Sequence, residues 1–211
     1  MGRPNIAQIE GLPLVDLLWE PISGWYGALK RVMDILLSAT MLLFLLPIIL
    51  IIALAIKIDS KGPIFYKQER IGKNRKPFLL YKFRSMVRDA EKKSGPVLAT
   101  WDDPRATRVG KILRRIGLDE IPQLWNVLTG KMSLVGPRPE RKVFVDEYPQ
   151  IRLSVKPGLT GLAQVNARFN LDRKEKIKYD LYYVQSPSLA LDIKILLKTA
   201  FLILQQFRGK R

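Results

Sequence analysis

The chain has 211 residues, 47% of them apolar, and its 36 lysines and arginines against 19 acidic residues give a formal net charge of +17. This length suits one domain with an appendage, and the charge indicates attraction to nucleic acid, phospholipid headgroups or phosphorylated small molecules. The absence of cysteine and histidine excludes disulfides, thiolate or imidazole chemistry and Cys-ligated metals. Any catalysis must therefore use other side chains, and any metal must have oxygen ligands, which favours Mg²⁺.

Residues 1–28 mix apolar and aromatic side chains with Gly and Pro breaks. Trp25 and Tyr26 suit the headgroup zone of a bilayer, where aromatic residues are enriched. The composition predicts an interfacial lead-in rather than a folded domain.

A hydrophobic segment without charged residues runs from Ile35 to Ile56. As a straight helix it would be about 33 Å long, close to the thickness of the hydrocarbon core of a bilayer. Pro47 lies in its middle, where it removes the backbone hydrogen bond to the carbonyl of Leu43. Basic residues flank both ends, namely Lys30 and Arg31 before it and Lys57 and Lys61 after it.

Positive flanks prefer the cytoplasmic side, so cations at both ends favour a segment that enters the membrane and returns. We predict a re-entrant helix-break-helix over residues 29–58, broken at Pro47, with Ser38 available to bond a freed carbonyl. A bitopic helix with a tolerated Pro kink is an equally weighted alternative. A buried core helix is disfavoured because such helices seldom run this long without a polar face.

Residues 59–211 predict a compact domain, and the fold class is α+β and predominantly helical. Ile64 to Gln68 and Phe78 to Phe83 have strand composition and flank a Gly72-Lys73-Asn74-Arg75 turn, which indicates a β-hairpin. Helical patterns occupy about 85–93, 106–116, 119–128, 138–147 and 173–185. A last amphipathic helix, about 188–207, has an apolar arc that suits either the bilayer surface or the core.

Two adjacent carboxylates, Asp119 and Glu120, precede Pro122, a residue well tolerated in a first helical turn. Neighbours on a helix diverge by about 100°, so the two can divide labour, one attacking phosphorus and the other holding a metal. A carboxylate that attacks a phosphoryl group gives an acyl phosphate, a route open without His or Cys. The competing interpretation is a pair that only caps the helix and complements its dipole.

Cations in three short motifs suit a diphosphate. Lys82 and Arg84 lie in Lys-Phe-Arg, Arg105 in Asp-Pro-Arg, and Arg138 between two prolines that fix its backbone. Arginine binds phosphate oxygens in two-point fashion. The alternative is that these cations are solvated or contact anionic lipid.

In this order, over about residues 29–207, the motifs closely resemble the bacterial sugar transferases, the monotopic phosphoglycosyl transferases. The segments that carry the resemblance are Lys30-Arg31-Val32-Met33-Asp34, Gly62-Pro63-Ile64-Phe65, Gln68-Glu69-Arg70-Ile71-Gly72, Tyr81-Lys82-Phe83-Arg84-Ser85-Met86, Asp103-Pro104-Arg105, Leu118-Asp119-Glu120-Ile121-Pro122-Gln123, Met132-Ser133-Leu134-Val135-Gly136-Pro137-Arg138-Pro139 and Pro157-Gly158-Leu159-Thr160-Gly161.

The resemblance implies that a UDP-sugar donates its sugar 1-phosphate to undecaprenyl phosphate, releasing UMP and starting a polysaccharide or glycoconjugate chain. It implies that Asp119 is the nucleophile of a covalent phosphosugar intermediate and that Asp119 and Glu120 hold Mg²⁺. The substrate-phosphate site would contain Lys82, Arg84, Arg105 and Arg138, with Asp192 as a further polar family position.

The same resemblance implies that residues 59–211 are a cytoplasmic catalytic domain on the cytoplasmic face of the bacterial inner membrane. It also implies contact with membrane lipid and no nucleic-acid partner, and it allows a homodimer. Residues 1–28 resemble the junction that follows an N-terminal domain in longer family members. No motif selects one sugar.

Two rival functions fit the composition. One is a non-enzymatic basic membrane adaptor that binds anionic lipid or nucleic acid, although no recognisable nucleic-acid module is present. The other is a bitopic enzyme of lipid phosphate metabolism, such as a phosphatase, which would release free phosphate rather than a lipid-linked sugar.

Overall fold

The computed structural model describes residues 7–9, 12–14, 24–90, 95, 103–166 and 172–207. Within them the fold is mostly helical with small two-stranded sheets, which confirms the predicted α+β class. Sheets β1/β2 and β3/β4 are antiparallel and β5/β6 is parallel. The strands are β1 Ala7–Ile9, β2 Leu12–Leu14, β3 Phe65–Ile71, β4 Pro77–Phe83, β5 Ser133–Val135 and β6 Gly158–Thr160. The α-helices are α1 Gly24–Asp59, α2 Arg108–Arg115, α3 Gln123–Leu128, α4 Lys142–Val145, α5 Leu162–Asn166, α6 Arg173–Gln185 and α7 Leu189–Phe207.

Helix α1 has 36 residues and, in the described part of the chain, is the one helix long and apolar enough to cross a membrane. It continues through Pro47 without interruption, so the predicted division into two helices is not present in the secondary structure. A proline removes one hydrogen bond, and the turns on either side keep theirs. The Ser38 hydroxyl donates to the carbonyl of Asp34 at 2.6 Å, not to the carbonyl of Leu43 that Pro47 leaves free.

The first half of α1 is fastened to the domain by polar contacts. Arg31 donates to the carbonyls of Val127 and Leu128, each at 2.7 Å, and so bonds carbonyls in the last turn of α3. The Asp34 carboxylate accepts a hydrogen bond from the backbone N–H of Leu134 at 2.9 Å. Asp34 is buried and Arg31 is partly buried, and both side chains contact the domain.

The last turns of α1 return to the same domain. Ile52 and Ile56 are buried in its main hydrophobic core. Asp59 accepts a hydrogen bond from the backbone N–H of Val109 at 3.1 Å, in the first turn of α2. Residues near the middle of α1, such as Leu43 and Phe44, are 70% and 76% exposed. The helix is therefore held by one domain at both ends, and in its middle one side is exposed while Leu42, Leu45 and Ile49 pack partly buried against the core.

The predicted β-hairpin is confirmed as β3 and β4, which pair Phe65 with Phe83 and Ile71 with Pro77 at the two ends of the ladder. Asn126 of α3 fastens this hairpin to the helical part. Its side chain donates to the carbonyl of Leu79 at 2.7 Å and accepts from the backbone N–H of Tyr81 at 3.0 Å. This contact fixes the position of Lys82, the next residue on the strand.

Three predicted helices are confirmed as α2, α6 and α7. The Thr107 and Asp172 side chains cap α2 and α6 by accepting from backbone N–H groups of the first turn. The prediction of a helix at 85–93 is wrong for residues 85–90. That segment is held by backbone pairing with residues 105–107, since the Val87 N–H donates to the carbonyl of Arg105 and the Thr107 N–H to the carbonyl of Ser85. Residues 91–93 lie outside the described residues.

The predicted helices at 119–128 and 138–147 are shorter than expected. The first divides into a 3-10 helix, Leu118–Glu120, and α3, because the chain turns at Pro122. The second keeps only α4. The short parallel pair β5/β6 and helix α5 were not predicted.

The wide apolar arc of α7 was predicted to face either the core or the bilayer surface, and the structure decides this for one face only. One face packs into the domain and buries Asp192 and Ile195, 3% and 1% exposed. The core-facing interpretation is thus confirmed for that face. The opposite face leaves an apolar stripe uncovered, formed by Ile193, Leu197, Phe201 and Leu204.

Candidate active site

The two predicted catalytic carboxylates lie on the 3-10 helix Leu118–Glu120, directly after α2. Gly117 makes the turn between them and α2 with a φ of 72°, a left-handed conformation that is costly for residues with a β-carbon. The turn aims Asp119 and Glu120 away from α2, toward β4 and the segment that contains Arg138.

Glu120 joins three parts of the chain that are distant in sequence. Its Oε1 atom accepts from Lys82 Nζ at 2.7 Å and from an Arg138 guanidinium nitrogen at 2.6 Å. Burial acts to raise the pKa of Glu120, but the charges of Arg138 and Lys82 outweigh it and hold this pKa well below its usual range. Glu120 is therefore ionised and serves as an anionic bridge between two cations.

Asp119 differs from its neighbour in having no partner. It is 8% exposed, and within the described residues nothing donates a hydrogen bond to its side chain or forms an ion pair with it. Burial raises the pKa of Asp119, the charge of Lys82 opposes this, and the charge of Glu120 adds to it. A buried carboxylate without a partner is costly to fold and is available for chemistry.

The backbone around Arg138 is fixed from the side opposite Glu120. Buried Arg152 donates to the Arg138 carbonyl at 2.6 Å and pairs with buried Asp180 at 2.6 Å. Just before it, Gly136 packs so closely on Gly158 that a β-carbon on Gly158 would lie 2.1 Å from the Gly136 nitrogen. Sequence reasoning missed Arg152 and Asp180, although a lone Arg between Ile151 and Leu153 is a usable signal.

Arg84, predicted to bind phosphate, is placed elsewhere. Its guanidinium donates to the carbonyl of Ser60 at 2.7 Å, to Ser60 Oγ at 2.8 Å and to the carbonyl of Lys61 at 3.2 Å. Arg84 therefore has a structural role at the C-terminal end of α1, where carbonyls lack helical partners, and its phosphate-binding role stays a prediction.

The Arg105 side chain binds a carboxylate that lies only two residues earlier in the sequence. It grips the Asp103 carboxylate with Nε at 2.8 Å and a terminal nitrogen at 2.6 Å, and Asp103 is 2% exposed. The hydrogen bonds from Arg105 keep the pKa of Asp103 below its usual range. The contacts that the structure gives these two side chains stabilise the turn that precedes α2.

Asp192 lies in a buried polar cluster between α7, α6 and α1. One oxygen accepts from Lys30 at 2.7 Å and Tyr26 at 2.9 Å, and the other from Tyr183 at 2.8 Å. Both oxygens are thus engaged, and Asp192 is 3% exposed. These contacts give Asp192 a structural role between the three helices, and its place in the phosphate site stays a prediction.

The carboxylates near the active site show whether this site could hold Mg²⁺. The described residues contain no group of three or more Asp, Glu, His or Cys side chains that could hold a metal. Mg²⁺ commonly takes only one or two carboxylates and fills its remaining positions with water and substrate phosphates. The unpartnered Asp119 next to ionised Glu120 fits that pattern.

Comparison with known sequences decides the family. The profile described as bacterial sugar transferase matches residues 25–206, which include α1, the carboxylate pair and α7. The chain belongs to the bacterial sugar transferase family. The predicted family is thereby confirmed.

Relatives within this family carry specific names. A Klebsiella pneumoniae protein named UDP-glucose:undecaprenyl-phosphate glucose-1-phosphate transferase is 43% identical over 205 residues, covering 92% of this chain and 44% of that protein. An Aeromonas hydrophila UDP-N-acetylgalactosamine-undecaprenyl-phosphate N-acetylgalactosaminephosphotransferase is 41% identical over 218 residues, 99% of this chain and 51% of its own length. The chain spans about half the length of these two relatives.

A shorter relative matches almost from end to end. The exopolysaccharide production protein of Rhizobium leguminosarum bv. phaseoli is 45% identical over 197 residues, which cover 86% of this chain and 97% of that protein. The family therefore includes a protein that consists of little more than the portion matched here.

Proposed function

We propose that this bacterial sugar transferase moves a sugar 1-phosphate from a UDP-sugar to undecaprenyl phosphate and releases UMP. The observation that carries the proposal is the division within the carboxylate pair, where Glu120 is fixed by two cations and Asp119 is buried, unpartnered and adjacent. The printed names of the relatives supply the two substrates.

Asp119 is the nucleophile in this proposal. One of its carboxylate oxygens forms a bond to the phosphorus that carries the sugar, and the bond from that phosphorus to UMP breaks. UMP leaves with the bonding electron pair. An oxygen of undecaprenyl phosphate then attacks the same phosphorus and displaces the Asp119 carboxylate, which regenerates the enzyme.

Lys82 and Arg138 place positive charge beside Asp119. Both contact Glu120 in the structure, and their remaining N–H groups can reach phosphate oxygens of the donor, where negative charge develops during transfer. Mg²⁺ held by Asp119 and Glu120 would supply further charge neutralisation at the diphosphate. Glu120 keeps the two cations in place between turnovers.

The membrane arrangement belongs to the same proposal. A bitopic helix would carry its two ends to opposite sides of a hydrocarbon layer of about 30 Å. Both ends of α1 contact one polar domain, through Arg31 at one end and Asp59 at the other, while Leu43 and Phe44 between them are exposed. These contacts support a re-entrant α1 bent at Pro47, with the domain on the cytoplasmic face of the inner membrane.

The uncovered stripe of α7 supports a second contact with the bilayer. Ile193, Leu197, Phe201 and Leu204 recur at spacings of three and four residues and present one apolar edge. A helix of this kind lies in the plane of the membrane surface. The active site is then held near the headgroups, where the phosphate of a polyprenyl acceptor resides.

The homodimer remains a prediction.

The activity is tested with purified full chain, Mg²⁺, undecaprenyl phosphate and a panel of UDP-sugars labelled in the sugar. We expect one sugar to move into the organic phase together with phosphate, accompanied by one UMP for each product. Release of inorganic phosphate or free sugar phosphate would identify a phosphatase. If neither a lipid-linked sugar nor a released phosphate is formed, the proposed transferase activity is contradicted and the membrane adaptor is the remaining function.

The pH dependence of turnover tests the electrostatics of Asp119. Burial raises the pKa of this carboxyl, so it stays protonated, and inactive as a nucleophile, to a higher pH than an exposed Asp. Lys82→Met removes a charge that lowers this pKa. We expect the acid limb of kcat/KM to move upward by about one pH unit or more.

Lys82→Arg is the matched control, because it keeps the charge and its acid limb should stay near that of the wild type. A Lys82→Met profile that coincides with the wild-type profile in its acid limb contradicts the assignment of Asp119 as the titrating group.

Cysteine labelling tests the re-entrant helix, since the chain has no cysteine of its own. Single variants Trp25→Cys and Lys57→Cys lie at exposed positions toward the two ends of α1, and Phe44→Cys lies in its middle. In membrane vesicles of known orientation, we expect an impermeant thiol reagent to label both ends from the cytoplasmic side and Phe44→Cys from neither. Labelling of the two ends from opposite sides establishes a bitopic helix.

A further inference from the structure

A groove outside the active site lies between α5, α6 and α7. Its volume is about 530 Å³, within the range of small-molecule pockets. The floor is apolar and includes Leu191 and buried Ile195. The rim carries Lys178, Lys194 and Lys198.

The charges around this groove are of one sign. Among the described residues no Asp or Glu lines it, and neither Lys178 nor Lys194 forms an ion pair there. Lys198 donates to the side-chain oxygen of Asn166, a neutral partner. An apolar floor beneath three cations without a carboxylate is complementary to an amphiphilic anion.

The groove adjoins the apolar stripe of α7. Successive helical residues turn by about 100°, so Lys194 and Lys198 lie between the stripe that contains Leu197 and the buried face that contains Ile195. Tyr182, 58% exposed, lies four residues after Lys178 and on the same face of α6. Lysines and tyrosines at the edge of an apolar surface are typical of the headgroup depth of a bilayer.

We propose that this groove binds one anionic phospholipid, with its headgroup phosphate between Lys178, Lys194 and Lys198 and an acyl chain over the floor formed by Leu191 and Ile195. The inference rests on the proposed bilayer contact of α7, and it does not depend on the proposed catalytic chemistry. Such a lipid would attach α6 and α7 to the membrane at a point separate from α1.

Native mass spectrometry of the detergent-purified full chain tests this site. Phosphatidylglycerol and phosphatidylcholine with identical acyl chains are added to the wild type and to Lys178→Gln/Lys194→Gln/Lys198→Gln. We expect the wild type to retain one phosphatidylglycerol in preference to phosphatidylcholine. The triple variant should bind it about tenfold or more weakly, because each surface cation contributes to attraction for anionic lipid.

The matched control removes three exposed lysines elsewhere, Lys131→Gln/Lys142→Gln/Lys174→Gln, with the same change in net charge. It should retain the lipid as the wild type does, and inorganic phosphate, which lacks an acyl chain, should not displace it. If both triple variants lose phosphatidylglycerol equally, the lipid is attracted by net charge alone and the proposed site is contradicted. Binding of undecaprenyl phosphate but not phosphatidylglycerol also overturns it, since the groove then belongs to the acceptor. UMP release measured on the same samples reports the proposed function separately.

Discussion

Asp119→Asn is expected to be inactive and at least as stable as the wild type. The change removes the attacking carboxylate oxygen while keeping the size of the side chain, and loss of a nucleophile lowers kcat by about 10⁴-fold or more. Stability should not fall, because the Asp119 side chain has no hydrogen bond or ion pair with the described residues and its burial is unfavourable to the charged form.

UMP release and thermal unfolding are measured on the same preparation to test this pair of expectations. Asp146→Asn is the control, because the Asp146 side chain is 73% exposed and forms a surface pair with Arg75. It should change neither quantity. Asp119→Asn with turnover close to that of the wild type contradicts the assignment of the nucleophile, whereas inactivity with a large loss of stability indicates a structural role.

Asp192→Ala is expected to cause the largest loss of stability. It leaves the buried Lys30 ammonium and the Tyr26 and Tyr183 hydroxyls without their acceptor, and breaking a buried pair in this way costs about 3 to 5 kcal/mol. For a chain of this size such a loss lowers the Tm by about 10 °C.

Thermal unfolding in detergent checks the effect of Asp192→Ala. The exposed pair again supplies a control, since Asp146→Ala should shift the Tm little. Lys30→Met combined with Asp192→Leu should recover most of the stability, because no charge then remains buried alone. If Asp192→Ala unfolds like the wild type but loses its affinity for the UDP-sugar, Asp192 acts in the phosphate site and the structural role is contradicted.

The parts of the fold that could be predicted from sequence are those determined by local signals. Strand composition on both sides of a Gly-Lys-Asn-Arg turn was enough for the β3/β4 hairpin, and the helical pattern at 173–185 was enough for α6. The carboxylate pair and the cations Lys82 and Arg138 were likewise recognised from short motifs. Their meeting at one oxygen of Glu120 required the tertiary structure.

The features that local sequence signals do not reveal share a physical cause, which is that long-range contacts determine them. Residues 85–90 have a helical pattern, but their backbone groups pair with residues near Arg105. Arg84 and Asp192 belong to motifs shared with the family, but the motif does not reveal that one caps α1 and the other is buried against Lys30. The chemical type of a charged residue can be read from sequence, whereas its burial cannot.

The measurement that tests the central claim most directly is the intact mass of the protein after incubation with Mg²⁺ and each UDP-sugar, without lipid acceptor. We expect the wild type to gain the mass of one sugar phosphate with one donor, Asp119→Asn to gain none, and undecaprenyl phosphate to remove the adduct. A wild-type protein that forms lipid-linked product without ever carrying this adduct would contradict the covalent role of Asp119.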